Sequence, residues 1–560
     1  MFEVSNKIKS ICEKELCISQ HNLNVALYGL LFIPILLFLL FVLKLVWLVF
    51  IVPAFALLFT LVSREKEDES IFKIKVKYII LIFFLAFVWS FLCGQGGWLA
   101  QKPDHHWRNA IMRDMVRYDW PVVYENGTGL VYYIMYWVVP TGLGKLGTML
   151  GGNEWGWSIT NFSLLIWTTI WISSVIIATI SIWNKSNLVS ILIASSILIL
   201  FSGMDIIGYV AYGLYSGKLC FPWNVEWWLN WSDDITIAYT SPWHQLGWVY
   251  NQAVPAWALT VLFYRTRRIS NFALLGALFF AYAPFPFIGF FMISVLYTIV
   301  QTALWIKSRQ YYRVFYESLS VINILAVISI FPIYYFYYTC NTTVENVSVS
   351  LPSSVASAKF LSFVTIRSLL NLLNYCIFML LEFAILWFAL RKYNKTDLLY
   401  YVIAVVLVFI AGTRFISMDY IIRSSIPSLF ILSLYAIKYY LNDVEITKEH
   451  TMNISHNYRT FFSCYIITGI LIIGSVTPIC ECFDTLYITQ DCVRNGYELP
   501  SDKLKTFYPP TKGILTIFLV KNATEQFYYK NVVRVKQTEV INKPLEFREF
   551  TGKEIYEYKP

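Results

Sequence analysis

The sequence predicts an all-α polytopic bundle of transmembrane helices. Hydrophobic residues make up 57% of the 560 positions and charged residues only 14%, whereas about a quarter of the residues in a soluble protein are charged. Apolar runs recur along the chain, and a helix of about 20 apolar residues crosses a bilayer core about 30 Å thick. We identify about thirteen such runs, at 26–43, 46–62, 77–94, 159–183, 188–204, 247–264, 270–283, 286–306, 317–338, 369–390, 398–413, 424–441 and 461–479.

The charges between the runs predict the orientation of the bundle. Lys and Arg concentrate in every second connector, and positively charged connectors stay in the cytoplasm. An odd number of spans then places the N-terminus inside and the C-terminus outside. Because polar residues precede the first run and no cleavage site follows it, we expect no signal peptide. The basic connector residues are Arg64, Lys66, Lys73, Lys75, Lys77, Lys185, Arg265, Arg267, Arg268, Lys307, Arg309, Arg313, Arg391, Lys392 and Lys395.

The composition changes near residue 480, which predicts two domains. Residues 1–479 form a multi-span membrane domain with outer loops at 95–158 and 205–246, and residues 480–560 form a small mixed α/β domain on the outer side. Segments 513–520 and 531–537 have the pattern of strands. The cysteines at the start of the second domain are either partly joined in a disulfide, Cys492 with one of the other two, or all free. They are Cys480, Cys482 and Cys492.

Several classes of partner and cofactor are not indicated. The net charge of +9 resides mostly in short connectors, so we expect the lipid bilayer as a partner and no nucleic acid. The chain has no phosphate-binding loop of the Walker type and no dinucleotide-binding glycine pattern, so we expect no cofactor. His105, His106 and His244 do not have the spacing of helix-borne metal ligands, and we expect no metal.

The outer loop 95–158 carries the strongest functional signal. Pro103 and Asp104 predict a helix start, in which the carboxylate is either functional or a simple N-cap. Apolar residues then recur at helical spacing, which predicts a helix lying along the membrane interface. Its beginning would hold polar side chains above the bilayer, where they either face substrate or are solvated. The candidate residues in this loop are Asp104, His105, His106, Arg108 and Asp119.

The same loop resembles that of the GT-C class of membrane glycosyltransferases. The resemblance is carried by PDHHWRNAI at 103–111 and RDMVRYDWPVVY at 113–124, together with the order of spans, large first outer loop and outward C-terminal segment. It implies a GT-C fold and transfer of a sugar from a polyprenyl-phosphate carrier to a glycan, lipid or protein acceptor. The sequence departs from the GT-C pattern in one respect, since two close-set apolar runs precede the run 77–94, which would correspond to the first helix of that class.

Such a transfer needs one carboxylate as general base, because the carrier phosphate is itself the leaving group. We expect Asp104 to be that base in an inverting, metal-independent reaction, with Asp114 and Asp119 as weaker substitutes. The resemblance also implies an integral protein of the bacterial plasma membrane that acts in cell-envelope glycan synthesis on the extracytoplasmic face.

Basic side chains must also hold the carrier phosphate. The segment 412–427 supplies Arg414 and Arg423 around Asp419, and guanidinium groups suit phosphate. The alternative is an Arg–Asp ion pair that closes a helical turn.

A second outer cluster combines tryptophans with amide, carboxylate and imidazole groups. Such a set suits a sugar ring, although tryptophans at a bilayer interface need no ligand. The polar members are Asp205, Asp233, Asp234, His244, Gln245, Asn251 and Gln252.

A transporter or flippase is the alternative function. Glu382 lies within an apolar run, and an ionisable residue at that depth suits a proton or substrate path. Against this reading, we find no paired broken helices in matching halves of the chain.

Overall fold

The computed structural model describes residues 10–65, 70–124, 127–130, 134–217, 225–226, 237–340, 366–412, 418–443, 454–496, 519–520 and 522–534. Helices dominate these residues, and the strands are short and few, which confirms the all-α helical bundle. The helices of the first half are α1 Gln20–Val42, α2 Leu45–Arg64, α3 Val76–Leu92, α4 His105–Arg117, α5 Val138–Ser181, α6 Leu188–Leu200, α7 Asp205–Ser216, α8 Pro242–Thr266 and α9 Phe272–Tyr282.

The second half is also helical. Its helices are α10 Pro284–Lys307, α11 Tyr311–Ser318, α12 Val321–Cys340, α13 Ile366–Met379, α14 Ile385–Leu390, α15 Leu398–Gly412, α16 Met418–Ser424, α17 Ile426–Lys438, α18 Ile454–Gly474, α19 Val476–Asn495 and α20 Phe527–Asn531. A π-helical turn, Leu380–Ala384, joins α13 to α14.

Each of the thirteen predicted apolar runs lies mostly in one or two of these helices. Among the described residues, eight helical segments are long and apolar enough to cross a membrane, and three shorter apolar helices accompany them. The structure therefore has the form of a multi-pass membrane protein, while thirteen crossings and the GT-C fold stay predictions. Helix α5 begins well before its predicted run and is broken at Gly152, where φ is 82°, so part of the predicted outer loop is helical.

The predicted cytoplasmic connectors meet at one end of the bundle, the basic end. Strand β1, Glu15–Ser19, pairs antiparallel with β2, Ile71–Lys75, which joins the N-terminal segment to the connector after α2. Farther along the chain, Arg267 lies 2.8 Å from Asp397. Connectors that are distant in sequence are therefore on the same side, as the charge alternation predicts.

The predicted outer segments meet at the opposite end. The short strand β3, Gly129–Leu130, pairs with β4, Leu519–Val520. The backbone N–H of Lys44 donates to the carbonyl of Val532 at 2.9 Å, so the C-terminal segment contacts both the first connector and the first large loop. This placement agrees with the predicted relative sides.

The predicted domain boundary at 480 lies inside the continuous helix α19. Of the two predicted strands, only Leu519–Val520 is described as one, and α20 occupies the start of the second; the division into two domains stays a prediction. Cys480, Cys482 and Cys492 are not joined in a disulfide. Cys492 lies at least ten positions after the other two on the same helix, a separation of about 15 Å or more. It therefore cannot form the predicted disulfide with either, since a disulfide needs Cα atoms within about 7 Å.

Candidate functional site

The loop helix α4 is buried among other parts of the protein. It begins directly after Pro103 and Asp104, as predicted, but every residue from Arg108 to Val116 is buried, and the helix packs against α5. Its polar residues have protein partners: Tyr124 donates to the Asp114 carboxylate at 2.7 Å. Apolar periodicity did not reveal that the polar face of the helix is also covered by protein, and its position along the membrane interface stays a prediction.

Asp104 does not cap the helix that follows it. Its backbone is already helical and its side chain accepts no capping hydrogen bond. Instead, its carboxylate lies 2.9 Å from the guanidinium of Arg108, one turn later. The Asp104 side chain is 27% exposed whereas that of Arg108 is 4% exposed. The pair therefore places a partly exposed carboxylate at the protein surface, bound on its inner side to a buried guanidinium group.

Helix α8 is almost entirely buried and broken beside α4. Ser241 caps it and Pro242 opens it, but Val249 leaves the helical region with φ −137° and ψ 33°. Carbonyl groups next to such a break lose the backbone N–H donors that a regular helix supplies from one turn later. Side chains from outside the helix donate hydrogen bonds to these carbonyl groups instead. Gln95 donates to Leu246 and His105 contacts Gly247, at 3.0 and 2.8 Å, and Arg108 donates to Trp248.

His105 is fully buried, so the solvated alternative is wrong for this residue. Burial, together with the charge of Arg108, lowers the pKa of His105 to about 3, and the ring is neutral at physiological pH. Because Nε2 must then donate to the Gly247 carbonyl, Nδ1 is an acceptor, and it has no hydrogen-bond partner among the described residues. His106, the next residue, is partly exposed.

Arg423 and Asp419 form the ion pair that was the alternative to phosphate binding, 3.1 Å apart on α16. Their charges act on Arg108, whose pKa is lowered by burial and partly restored by Asp104. The pairs Asp104–Arg108 and Asp419–Arg423 are therefore neighbours, although more than 300 positions separate them in the sequence. Arg414 lies outside the described residues.

A second charged cluster lies next to α8. Lys102 Nζ is 2.6 Å from Glu481 and also bonds Asp484, while His244 Nδ1 lies 3.2 Å from Glu481. Burial alone would lower the pKa of Lys102, but the charges of Glu481 and Asp484 outweigh burial and raise it. Sequence reasoning identified His244 but missed Lys102, Glu481 and Asp484. The presence of the acids Glu481 and Asp484 in a largely apolar stretch could have indicated this cluster.

Buried acids continue from this cluster into the bundle. Asp205 accepts hydrogen bonds from Ser202 at 3.0 Å and Thr477 at 3.2 Å, and its carboxyl group shares a hydrogen bond with Glu382. Glu226, which the sequence did not indicate, accepts from Ser241 at 2.6 Å. Burial and the charge of Asp205 raise the pKa of Glu226 well above its usual range. Only the fold brings these three acids together, since they lie on α7, in the π-helical turn Leu380–Ala384 and in the segment 225–226.

The predicted amides divide into two kinds. Gln245 has structural partners, since it donates to Thr240 at 2.7 Å and accepts from Trp257 at 2.9 Å. Asn251 and Gln252 are buried just after the break in α8, and the side-chain oxygen of Gln252 has no hydrogen-bond partner among the described residues. Asp233 and Asp234 lie outside the described residues, whereas Asp119 is exposed.

No described group of three or more His, Cys, Asp or Glu residues is arranged to hold a metal ion. Comparison of the chain with protein-family models, curated proteins and solved structures gave no match. The fold and the site together define a multi-pass helical protein with a buried polar site at the end opposite its basic connectors.

Proposed function

We propose that this protein is a membrane glycosyltransferase that moves a sugar from a polyprenyl-phosphate carrier to a glycan, lipid or protein acceptor. The proposal is carried by the neighbouring guanidinium groups of Arg108 and Arg423 next to the partly exposed carboxylate of Asp104. A phosphate beside a low-dielectric membrane needs positive charge, and the acceptor hydroxyl needs a base. This arrangement offers both within one region.

In the proposed reaction, Asp104 takes the proton of the acceptor hydroxyl while that oxygen attacks the anomeric carbon. The bond between this carbon and the phosphate oxygen breaks, both electrons leave with the phosphate, and the configuration inverts. The buried Nε–H of Arg423 makes no hydrogen bond with the described residues, and we assign it as a donor to the leaving phosphate. No cofactor is required, and the active face is extracytoplasmic, in a bacterial plasma membrane.

Buried polar atoms near Asp104 support a sugar ligand. Among the described residues, His105 Nδ1, Trp248 Nε1 and Gln252 Oε1 have no hydrogen-bond partner. A sugar carries several hydroxyl groups that both donate and accept, so these atoms suit its polar rim. Aromatic rings of Trp248 and Tyr250 surround the same break in α8 and suit its apolar face.

The test is sugar transfer from labelled polyprenyl-phosphate donors in proteoliposomes. Asp104→Asn keeps the size of the side chain but cannot accept the proton, so kcat should fall by roughly 100-fold to 10,000-fold. Arg423→Gln should mainly raise the KM for the donor. Glu154→Gln, a change of an exposed acid in the same predicted outer loop, is the matched control and should keep wild-type rates.

Full activity of Asp104→Asn would remove this residue as the base. Failure of the wild-type protein to transfer from any of a panel of hexosyl and pentosyl donors would contradict the function itself.

The second candidate function, a proton-coupled transporter, is favoured by the hydrogen bond between Asp205 and Glu382. An ionised carboxylate can only accept hydrogen bonds, so this contact needs a proton on one partner. Proton uptake into proteoliposomes that is abolished by Glu382→Gln would support transport, whereas no uptake by the wild-type protein would exclude proton coupling.

A further inference from the structure

A groove runs along the basic half of the bundle, between α9, α10 and α12. Its volume is about 480 Å³, within the range of binding sites for small ligands, and apolar side chains make up most of its lining. Ser318 and Asn323 lie at its basic end. Prominent lining residues are Phe272, Phe287, Phe290, Phe291, Val295 and Val327.

The groove is bordered by side chains that face outward from the bundle. Phe291 is 55% exposed and Ile299 is 58% exposed, and both belong to α10, which has the length and hydropathy of a membrane span. An apolar cavity does not hold ordered water. In a bilayer, the material in contact with this groove is therefore lipid hydrocarbon.

The short helix α11 lies at the basic end of the groove and has no buried residue. Large side chains are exposed along it, including Phe315 at 69% and Tyr316 at 77%. Tyr side chains concentrate at the boundary between hydrocarbon and headgroups, and short amphipathic helices lie in that plane. Glu317 accepts from the backbone N–H of Ser270 at 3.3 Å, which holds α11 against the connector before α9.

Positive charge surrounds this interfacial helix. Lys307, Arg309 and Arg313 are exposed, and none of them forms a salt bridge within the described part of the chain. Basic side chains at a membrane surface attract anionic headgroups, each contributing about 1 kcal/mol near the surface. By contrast, Arg267 and Arg268 of the neighbouring connector are already paired with Asp397 and Glu65.

We propose that this groove binds an anionic phospholipid of the leaflet at the basic end, with an acyl chain between α9, α10 and α12. The phosphate contacts Lys307, Arg309 and Arg313, and α11 lies at headgroup level. The site is at the opposite end of the bundle from Asp104, and it does not depend on the proposed transferase function.

Native mass spectrometry of the full chain, released from micelles containing phosphatidylglycerol and phosphatidylcholine with matched acyl chains, tests the site. The wild-type protein should retain one phosphatidylglycerol with a preference of about tenfold or more. The triple change Lys307→Gln, Arg309→Gln and Arg313→Gln should abolish this preference. The matched control, Arg391→Gln, Lys392→Gln and Lys395→Gln, removes the same charge from another basic connector and should preserve it.

The groove itself is tested separately. Ala273 lines it and is partly exposed, so Ala273→Phe should fill it and reduce retention of both lipids. Ala404→Phe, a similar change on α15, should not. The proposal would be overturned if the wild type retained the two lipids equally or if the triple variant kept its preference. Unchanged retention in folded Ala273→Phe, or a second copy of the chain bound in place of lipid, would also overturn it.

Discussion

The Nε2 atom of His105 lies 2.8 Å from the carbonyl oxygen of Gly247, and this contact ties the loop helix α4 to the break in α8. Gln95 and Arg108 make the equivalent contacts with Leu246 and Trp248. Three side chains from the outer loop region thus replace the helical donors that the break removes. The same loop that carries Asp104 is therefore fixed to the central helix.

This contact predicts an acid-sensitive contribution to stability. The pKa of His105 is about 3 in the fold and about 6.5 in an unfolded chain, so between these values the unfolded chain binds more protons. The free energy of unfolding then rises with pH, and the contribution is complete above about pH 6.5 and is lost as pH falls toward 3. We expect protonation linked to His105 to lower the free energy of unfolding by roughly 2 kcal/mol at pH 5 relative to pH 7.

Thermal unfolding in detergent between pH 5 and 7 measures this effect. In His105→Gln the amide can still donate to Gly247 but does not titrate in this range, so the melting temperature should depend less on pH than in the wild type. Gln95→Leu removes a donor that does not titrate and should lower the melting temperature equally at each pH. Equal pH dependence of His105→Gln and wild type would contradict the prediction.

The Lys102–Glu481 pair should contribute strongly to stability only when both partners are present. The Glu481 side chain is 1% exposed, and removal of one member of a buried pair costs about 3 to 5 kcal/mol. Lys102→Met should therefore lower the unfolding temperature markedly, and Glu481→Met in the same chain should restore much of the loss. Lys75→Met, which breaks an exposed pair with Glu13, is the control and should have little effect. No recovery in the double variant would argue against the coupling.

Close packing of α10 on α16 requires Gly289. A Cβ atom at this position would lie 1.8 Å from the carbonyl oxygen of Ser424, whereas one at Gly276 would meet Phe287 at an ordinary 3.4 Å. We expect Gly289→Ala to lower the free energy of unfolding by about 1 to 3 kcal/mol and to displace the neighbouring Arg423. Gly276→Ala should be tolerated. Thermal unfolding followed by circular dichroism compares the two variants. Equal stability of Gly289→Ala and Gly276→Ala would contradict the prediction.

The sides of the membrane can be tested with single cysteines in a background without native cysteines. Cysteine in place of Asp119 or Glu525 should react with an impermeant maleimide in intact cells. Cysteine in place of Arg309 or Lys395 should react only after permeabilisation. All four positions are exposed. The opposite pattern would reverse the orientation, and a mixed pattern within either pair would contradict the two-ended arrangement of the connectors.

The helix positions and the relative sides of the connectors could be predicted from the sequence because both depend on local properties. Apolar length decides where a helix forms in a membrane protein, and the positions of Lys and Arg decide which connectors remain on one side. The helix start at Asp104 was also predicted, from Pro103 and the residues that follow. A role for Glu226 had no such local signal.

By itself, then, the sequence determined that the chain is a bundle of apolar helices with basic and non-basic connectors at opposite ends. Only the tertiary structure decided that α4 is buried, that Asp104 pairs with Arg108 rather than capping its helix, and that Arg423 lies near this pair. The physical reason is distance along the chain. His105 and Gly247 are 142 positions apart, and such contacts follow from how helices pack and from the need to satisfy every buried polar group, which no local pattern of residues encodes.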